Sequence, residues 1–548
     1  MIHNPILRGF NPDPSICRVG EDYYLVTSSF SYFPGVPVYH SRDLMHWERL
    51  CYALDRKEQL HVTYEDLSLG IFAPTIRWHD NTFYLIATNM TTHQNFFCTA
   101  TDPAGPWSDP VVIKGAGGID PSLFWDDDGK VYYTGTAPWD DPKFDHPMIV
   151  CSEVDLETGQ LTGELWPIGD GAAKDAYSPE GPHLYRRNGW YYLVIAEGGT
   201  EHNHAVTVSR SRTLHGSFIQ CPANPVLTHR HLGRNYPICN VGHADLVECQ
   251  DGSWYAVCLG SRLVNGYHKP LGRETFIVPV IWEEDWPVFS PGTGKVEWQY
   301  PAPQFAAEPT KCEPFPESTV NRMVQRETVD PEWNYLGTPY QRFVRVVGEG
   351  LAIQMLKTNL VPWEFEGEKF EFFEHLRKLG KTKTCMPFLG IRLREPHFVL
   401  EITMDVQLQG KESAGIVILQ NNAHQLRLEG LVSLDGELEF RVVRVVRLFV
   451  NGKIHYEEDI LGRVLLPQNG HWRLHMEGEN NRYQFAVRPE DEDEWQPVAE
   501  DVDGTHLGTE MAGGFVGAYV GIFATGNGID STNEALFHKL ILWEKRSI

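Results

Sequence analysis

The chain has 548 residues, of which 42% are hydrophobic, and this length predicts two folded domains instead of one core. Its net charge of −26 disfavours polyanionic partners, so neither a nucleic acid nor an anionic membrane surface is expected. No stretch approaches about 18 apolar residues, and the start lacks the apolar segment of a signal peptide, which predicts a cytoplasmic location. The ten cysteines form no CxxC pairs and are expected to be reduced.

A short unit recurs through the first part of the chain. Its first copy, residues 11–27, reads NPDPSICRVGEDYYLVT: an acid between two prolines, an apolar run, a polar turn and an aromatic-rich run. Four later copies start at Ala73, Asp120, Glu180 and His243, at intervals of about 60, 47, 60 and 63 residues. Each copy has the pattern of a β-hairpin, with glycine or asparagine in the turn. Spacing and pattern together predict five blades of a β-propeller.

The predicted fold is all-β. Residues 1–310 form a five-bladed propeller, because looser motifs after the hairpins supply outer strands and no stretch of residues 1–300 keeps a helical period. The proline-rich composition around residues 311–325 predicts a linker. Residues 326–548 alternate between apolar and polar and predict a jelly-roll-like β-sandwich. Within it, residues 362–380 fit either a short helix or an insertion.

The first residue of each unit should face the propeller axis, which brings Asp13, Asp120, Glu180 and His243 to one end of the channel. Taken singly, each has an ordinary explanation, such as an Asp-Pro turn or a hydrogen-bonded core histidine. Their equivalent positions in a closed ring favour a catalytic cluster. Two carboxylates across an aromatic-rich pocket, without a Ser-His-Asp or metal-ligand pattern, indicate glycoside hydrolysis. The third carboxylate could raise the pKa of the acid through like-charge repulsion.

The motifs around these residues resemble the β-xylosidases of glycoside hydrolase family 43. They are GFNPDPSI at residues 9–16, GIDPS at 118–122, SPEGP at 178–182, EGGT at 197–200 and GHAD at 242–245. The second domain resembles, more loosely, the C-terminal β-sandwich of the β-xylosidase/α-L-arabinofuranosidase type. The resemblance implies inverting chemistry, with Asp13 as general base, Glu180 as general acid and Asp120 as the pKa modulator that orients Glu180.

The resemblance also implies the substrate-binding residues. Arg273 would bind substrate hydroxyls next to the modulator, and Phe30 and Phe72 would wall the sugar subsite. His243 would be the axial histidine, which in some members holds a cation or water in the channel. Phe515, on a loop of the sandwich, would close one side of the pocket and make the enzyme exo-acting.

The sequence thus predicts a glycoside hydrolase that releases D-xylose from the non-reducing end of β-1,4-xylo-oligosaccharides. No cofactor is required, with a divalent cation such as calcium in the channel as the alternative, and a homo-oligomer, dimer or tetramer, is expected. Three other functions stay open: an α-L-arabinofuranosidase, an endo-acting arabinanase, and a non-catalytic carbohydrate-binding propeller. The converging acids favour an enzyme over a lectin, which does not need a carboxylic acid of raised pKa.

Overall fold

The computed structural model describes every residue except 140, 145, 173–176, 307–317, 370–378, 382, 434, 467–470 and 547–548. Within the described residues the fold is nearly all β, as predicted. The helical elements among these described residues are four single turns: Arg230–Leu232, Trp363–Phe365, Thr505–Leu507 and Thr509–Ala512. In this part of the chain no helix is long and apolar enough to cross a membrane.

The repeated hairpins form the two inner strands of five antiparallel sheets, which confirms the five-bladed propeller. The strands of blade 1 are Ser15–Val19, Asp22–Val26, Gly35–Ser41 and Glu48–Leu54. Those of blade 2 are Thr75–His79, Thr82–Asn89, Gln94–Ala100 and Val111–Val112. Those of blade 5 are Ile238–Glu248, Trp254–Arg262, Glu274–Glu283 and Trp286–Phe289.

Blades 3 and 4 differ from the other blades at their outer edge. There, two short strands pair with the third strand, where the other blades have a single fourth strand. The strands of blade 3 are Ser122–Trp125, Val131–Thr136, Ile149–Asp155, Gln160–Leu161 and Trp166–Gly169. Those of blade 4 are Glu180–Arg187, Trp190–Glu197, Ala205–Ser211, Ile219–Gln220 and Leu227–Thr228. A further pair, Ile2–His3 with Gln299–Tyr300, joins the two ends of the propeller segment.

The inner hairpins are tight because their turn residues accept positive φ. Asp80 and Asn81 have φ of 46° and 59°, and Asn188 and Gly189 have φ of 51° and 72°. Two consecutive residues with positive φ are typical of the type I′ turn, whose twist matches that of the flanking strands. The turn residues therefore set the register that carries each unit's first residue to the axial end of its blade.

The second domain is a sandwich of two large antiparallel sheets around one apolar core. One sheet is formed by Val344–Val347, Gly350–Gln354, Glu534–Glu544, Phe398–Asp405, His471–Glu479, Arg482–Pro489 and Gln496–Asp503, with Ser318–Val320 also pairing to Glu534–Glu544. The other runs in the order Lys453–Leu466, Leu438–Val450, His424–Val432, Ser413–Asn421, Tyr519–Thr525, Phe388–Arg392 and Trp333–Leu336. A separate two-stranded ribbon pairs Val324–Gln325 with Thr328–Val329.

The two domains share a sheet. The propeller strand Tyr32–Phe33, which follows the first hairpin, pairs with Trp333–Leu336 and becomes the eighth strand of the second sandwich sheet. The ring of Tyr32 also stacks on Tyr519, with 3.8 Å between centroids. This junction holds the sandwich against blade 1, close to the end of the axis where Asp13 lies.

Two stretches that the sequence assigned only loosely are described in part. Residues 311–317 of the predicted linker are outside the described residues, and the next residues, Ser318–Val320, already form a sandwich strand. In the segment 362–380, the described part contains the turn Trp363–Phe365, and residues 370–378 lie outside the description. Phe365 and Leu379 pack in one apolar cluster with propeller residues that include Phe72.

Candidate active site

Three of the axial residues share an unusual backbone conformation. Asp13, Asp120 and His243 have φ of 54°, 55° and 51°, in the left-handed region that side chains with a Cβ rarely adopt. In blades 1 and 3 this residue lies two positions before the innermost strand begins. Strain of this kind persists where the surrounding structure enforces it, and it is concentrated at functional sites.

The structure brings Asp120, Glu180 and His243 together. One carboxylate oxygen of each acid and one ring nitrogen of His243 all lie within 4.8 Å of one another. Asp120 and His243 are 6% and 4% exposed. Gly181 makes this approach possible, because a Cβ at that position would lie 2.8 Å from Cε1 of His243. The backbone N–H of Gly181 also donates a hydrogen bond to Oδ2 of Asp120, at 3.1 Å. Asp120 is thereby attached to the chain segment that carries Glu180.

Asp13 is held by two donors on opposite oxygens. Oγ of Ser28 donates to its Oδ2 at 2.6 Å, and Nη1 of Arg273 donates to its Oδ1 at 2.5 Å. Nη1 of Arg273 also donates to Oγ1 of Thr200, at 3.2 Å. The direct ion pair of Arg273 is therefore with Asp13, and its effect on Asp120 is the longer-range one of lowering that group's pKa.

The two remaining carboxyls both have raised pKa values. Burial, followed by the charges of Glu180 and Asp13, raises the pKa of Asp120 well above its ordinary value. Burial and then the charge of Asp13 raise the pKa of Glu180 to about 7, against an opposing effect of Arg273. Burial lowers the pKa of His243, which favours the neutral imidazole. The site therefore contains a carboxylic acid that can keep, and donate, a proton near neutral pH.

The three predicted aromatic residues form one wall. The ring centroid of Phe30 lies 5.0 Å from that of Phe72 and 6.0 Å from that of Phe515. Phe515 reaches this wall from the sandwich, where its N–H donates to Oγ of Ser68 and its carbonyl accepts from Nη2 of Arg273, at 3.0 and 3.1 Å. Apolar rings beside a guanidinium suit a sugar, which has apolar faces and polar edges.

A second buried polar group on the inner strands was not recognised from the sequence. We name Ser15, Arg77, His183, Tyr185 and Asp245 the Asp245 cluster. Arg77 donates to both oxygens of Asp245 at 2.8 and 3.1 Å, and Ser15 Oγ and Tyr185 OH donate at 2.6 and 2.5 Å. Arg77 also donates to Nδ1 of His183, at 2.9 Å. Four blades thus meet on one carboxylate.

Burial alone would raise the pKa of Asp245, but the charge of Arg77, followed by that of His183, outweighs it and holds this pKa below its ordinary value. The repeat contained a signal for the cluster, since Ser15 and Asp245 each come two residues after the axial residue of their unit. Ser28 and Thr200, the polar neighbours of Asp13 and Arg273, were also missed. Ser28 and Thr200 lie after the inner hairpins, in segments whose sequences differ from one repeat to the next.

Comparison with known proteins assigns both domains. A family model described as glycosyl hydrolases family 43 matches residues 2–287, and a model described as the β-xylosidase C-terminal concanavalin A-like domain matches residues 325–541. The chain is 42% identical over 542 residues to a xylosidase/arabinosidase of Butyrivibrio fibrisolvens, covering 97% of each. It is 35% identical over 542 residues to a non-reducing end α-L-arabinofuranosidase of Bacteroides ovatus, covering 97% of this chain and 93% of the relative. The crystal structure of a xylan β-1,4-xylosidase from Bacillus halodurans superposes with a TM-score of 0.86 at 30% identity, covering 100% of both chains.

Proposed function

Because this chain belongs to glycoside hydrolase family 43 and is a hydrolase of the xylosidase/arabinosidase type, we propose that it releases D-xylose from the non-reducing end of β-1,4-xylo-oligosaccharides. The observation that carries the proposal is the close approach of Glu180 to Asp120, with the pKa of Glu180 raised to about 7 by burial and by the charge of Asp13. A carboxylic acid in this state can protonate a glycosidic oxygen near neutral pH.

The proposed reaction is a single displacement with inversion. Glu180 donates its proton to the glycosidic oxygen as the bond from the anomeric carbon to that oxygen breaks. Asp13 accepts a proton from a water molecule whose oxygen attacks the anomeric carbon from the opposite face. Ser28 and Arg273 support this role of Asp13, because they fix its carboxylate from two sides. Asp120 orients the segment that carries Glu180 through its hydrogen bond from the N–H of Gly181, and burial followed by the charge of Glu180 raises its own pKa.

The aromatic wall supports exo action. Phe515 comes from the sandwich and contacts the propeller residues Phe30 and Phe72, with 5.9 Å between the centroids of Phe72 and Phe515. A wall built from both domains closes the pocket on that side, which suits a chain end better than the middle of a polymer. An endo-acting arabinanase would instead need an open cleft through the site.

We propose that the reaction needs no cofactor. Asp120, Glu180 and His243 each offer one atom that could ligate a cation. A cation held by all three would require Glu180 to be ionised, which would remove the proton that the acid must donate. These residues therefore do not fit a cation bound in that way during turnover. Full activity after dialysis against EDTA supports this proposal, and a loss that calcium restores would contradict it.

A second substrate is favoured by one observation: the relative from Bacteroides ovatus is named an α-L-arabinofuranosidase. Rates on 4-nitrophenyl β-D-xylopyranoside and 4-nitrophenyl α-L-arabinofuranoside separate the two candidates. We expect the higher kcat/KM on the xyloside, and a much higher value on the arabinoside would overturn the substrate assignment.

Proton NMR during hydrolysis of xylobiose tests the stereochemistry. We expect α-xylose as the first product of the cleaved unit, and β-xylose would exclude inversion.

A further inference from the structure

A second cavity lies where blade 1 and residues 1–11 meet the sandwich. Its volume is about 710 Å³, and none of Asp13, Asp120 and Glu180 lines it. Five arginines and three glutamates line it, an excess of positive charge in a chain whose net charge is −26. We call it the arginine cavity after Arg8, Arg49, Arg392, Arg394 and Arg546.

Three of these arginines already have carboxylate partners. Arg49 and Arg394 share Glu332, at 3.1 and 2.8 Å, and Arg8 pairs with Glu395. The glutamates of the cavity are therefore used by these arginines and by their neighbours. Positive charge remains, and the nearby guanidinium of Arg8 adds to burial in lowering the pKa of Arg546 at the rim.

Arg392 is the buried arginine among the five that line the cavity, and it has no direct carboxylate partner among the described residues. It is 8% exposed, and its hydrogen-bond partners among the described residues are all neutral. Its Nε donates to Tyr519 OH at 3.0 Å, and its Nη1 donates to Asn11 Oδ1 at 3.0 Å and Tyr39 OH at 3.1 Å. Against the effect of burial, the charges of Arg49, Arg394 and Arg392 together lower the pKa of Glu332, but Glu332 pairs directly with Arg49 and Arg394. A guanidinium removed from water without a direct ion pair is unfavourable, so an anion placed beside it would be stabilised.

We propose that the arginine cavity binds a small organic anion with at least two carboxylate or phosphate groups, one of which lies against Arg392. The planar donors of a guanidinium match both kinds of oxyanion. Arg546, which is exposed and close to Arg8, would meet a second anionic group at the rim. The volume is within the range of about 300–1,000 Å³ that small-molecule pockets occupy.

Asn11 connects this cavity to the residues around Asp13. Its side chain accepts from Arg392 and Tyr39, and its backbone N–H donates to the carbonyl of Arg273 at 3.0 Å. An anion that shifts Arg392 would therefore act on the backbone of Arg273, which immediately precedes the strand Glu274–Glu283. This predicts a change in KM or kcat that is not competitive with substrate.

Isothermal titration calorimetry of the full chain with citrate and, separately, inorganic phosphate tests the proposal in an amine buffer without other polyanions. We expect one citrate site per chain and weaker binding of inorganic phosphate, which has a single anionic group. Arg392→Gln should weaken citrate binding by about ten-fold or more, because a charge-assisted contact is lost. Arg546→Gln should weaken it by a smaller factor. Arg463→Gln, which removes an exposed arginine from the outermost sandwich strand, should leave it unchanged.

Saturating D-xylose separates this site from the catalytic pocket, and citrate affinity should be the same with and without it. The proposal is overturned if citrate does not bind below about 10 mM, if xylose displaces citrate, or if both cavity variants bind it like the wild type. Arg546→Gln keeps the test decisive if Arg392→Gln does not fold, because Arg546 is exposed.

Discussion

Two groups of buried acids on the inner strands of the propeller have opposite electrostatics. Asp120 and Glu180 face each other and Asp13, and burial with like charge raises the pKa of both. Asp245 is more deeply buried than either, but two hydrogen bonds from Arg77 hold its pKa below the ordinary value. Burial alone therefore does not decide what a carboxylate in this propeller does. The guanidinium of Arg77 keeps Asp245 ionised, whereas burial and the charge of Asp13 make Glu180 a proton donor.

The largest expected effect comes from Glu180→Gln, which removes the proton donor but keeps the shape of the side chain. We expect kcat on xylobiose to fall by about 10²–10⁴-fold. The loss should be much smaller on 2,4-dinitrophenyl β-D-xyloside, whose leaving group needs no protonation. Glu283→Gln, at an exposed strand end, is the matched control. Equal losses on both substrates would contradict the assignment of Glu180 as the acid.

The next effect compares the two groups directly. Asp245→Asn leaves the buried charge of Arg77 unpaired and should lower the free energy of unfolding by about 3–5 kcal/mol. Asp120→Asn removes a like charge and should leave stability unchanged or raise it, while kcat falls. Urea denaturation and kinetics on both variants check this. A destabilisation by Asp120→Asn as large as that by Asp245→Asn would remove the distinction between the groups.

Glu180 and Asp245 should also have opposite effects on how stability changes with pH. Folded Glu180 binds its proton more tightly than the unfolded chain does, so its contribution to stability is lost as pH rises from about 4.5 to about 7. The full loss is roughly 3 kcal/mol. Asp245 has the opposite sign, and its contribution is lost as pH falls below the ordinary aspartate value of 3.8. Unfolding midpoints measured from pH 4.5 to 7.5 should fall less steeply for Glu180→Gln than for the wild type. Equal slopes would show that Glu180 does not titrate in this range.

The smallest effect is expected from Tyr185→Phe. The hydroxyl of Tyr185 donates to Asp245 and accepts from the N–H of Leu246 at 2.8 Å, so its loss should lower the free energy of unfolding by about 1–3 kcal/mol. Tyr132→Phe is the matched control, because its hydroxyl bonds to Asp128 in a solvent-exposed turn. If the two variants lose the same stability, the Asp245 cluster is no more important than a surface contact.

The repeat made the propeller predictable, because five hairpins with equivalent starts leave few other ways to close a ring. It also predicted that Asp120, Glu180 and His243 meet, since equivalent positions in a ring converge on its axis. It could not predict the ion pair between Arg273 and Asp13 or the donor Ser28. Those contacts depend on loop conformations, which no periodic pattern encodes. The Asp245 cluster was overlooked for a different reason: its members come from neighbouring blades, so no single unit contains the pattern.

The sequence also did not reveal the strand Tyr32–Phe33. Two residues cannot display a period, and the stretch continues naturally into the next strand of blade 1. Its pairing with Trp333–Leu336 is a contact between residues about 300 positions apart, which follows from how the domains dock.

This shared strand limits how freely the two domains can be recombined. A propeller expressed alone would keep Tyr32–Phe33 but lose its partner strand, and it would expose apolar rings and unpaired backbone groups at a sheet edge. An unpaired edge of this kind promotes aggregation. Chimeras that exchange sandwich domains between relatives therefore need a propeller strand and a sandwich strand that can pair with each other. The two domains should therefore be engineered together, as one two-domain chain.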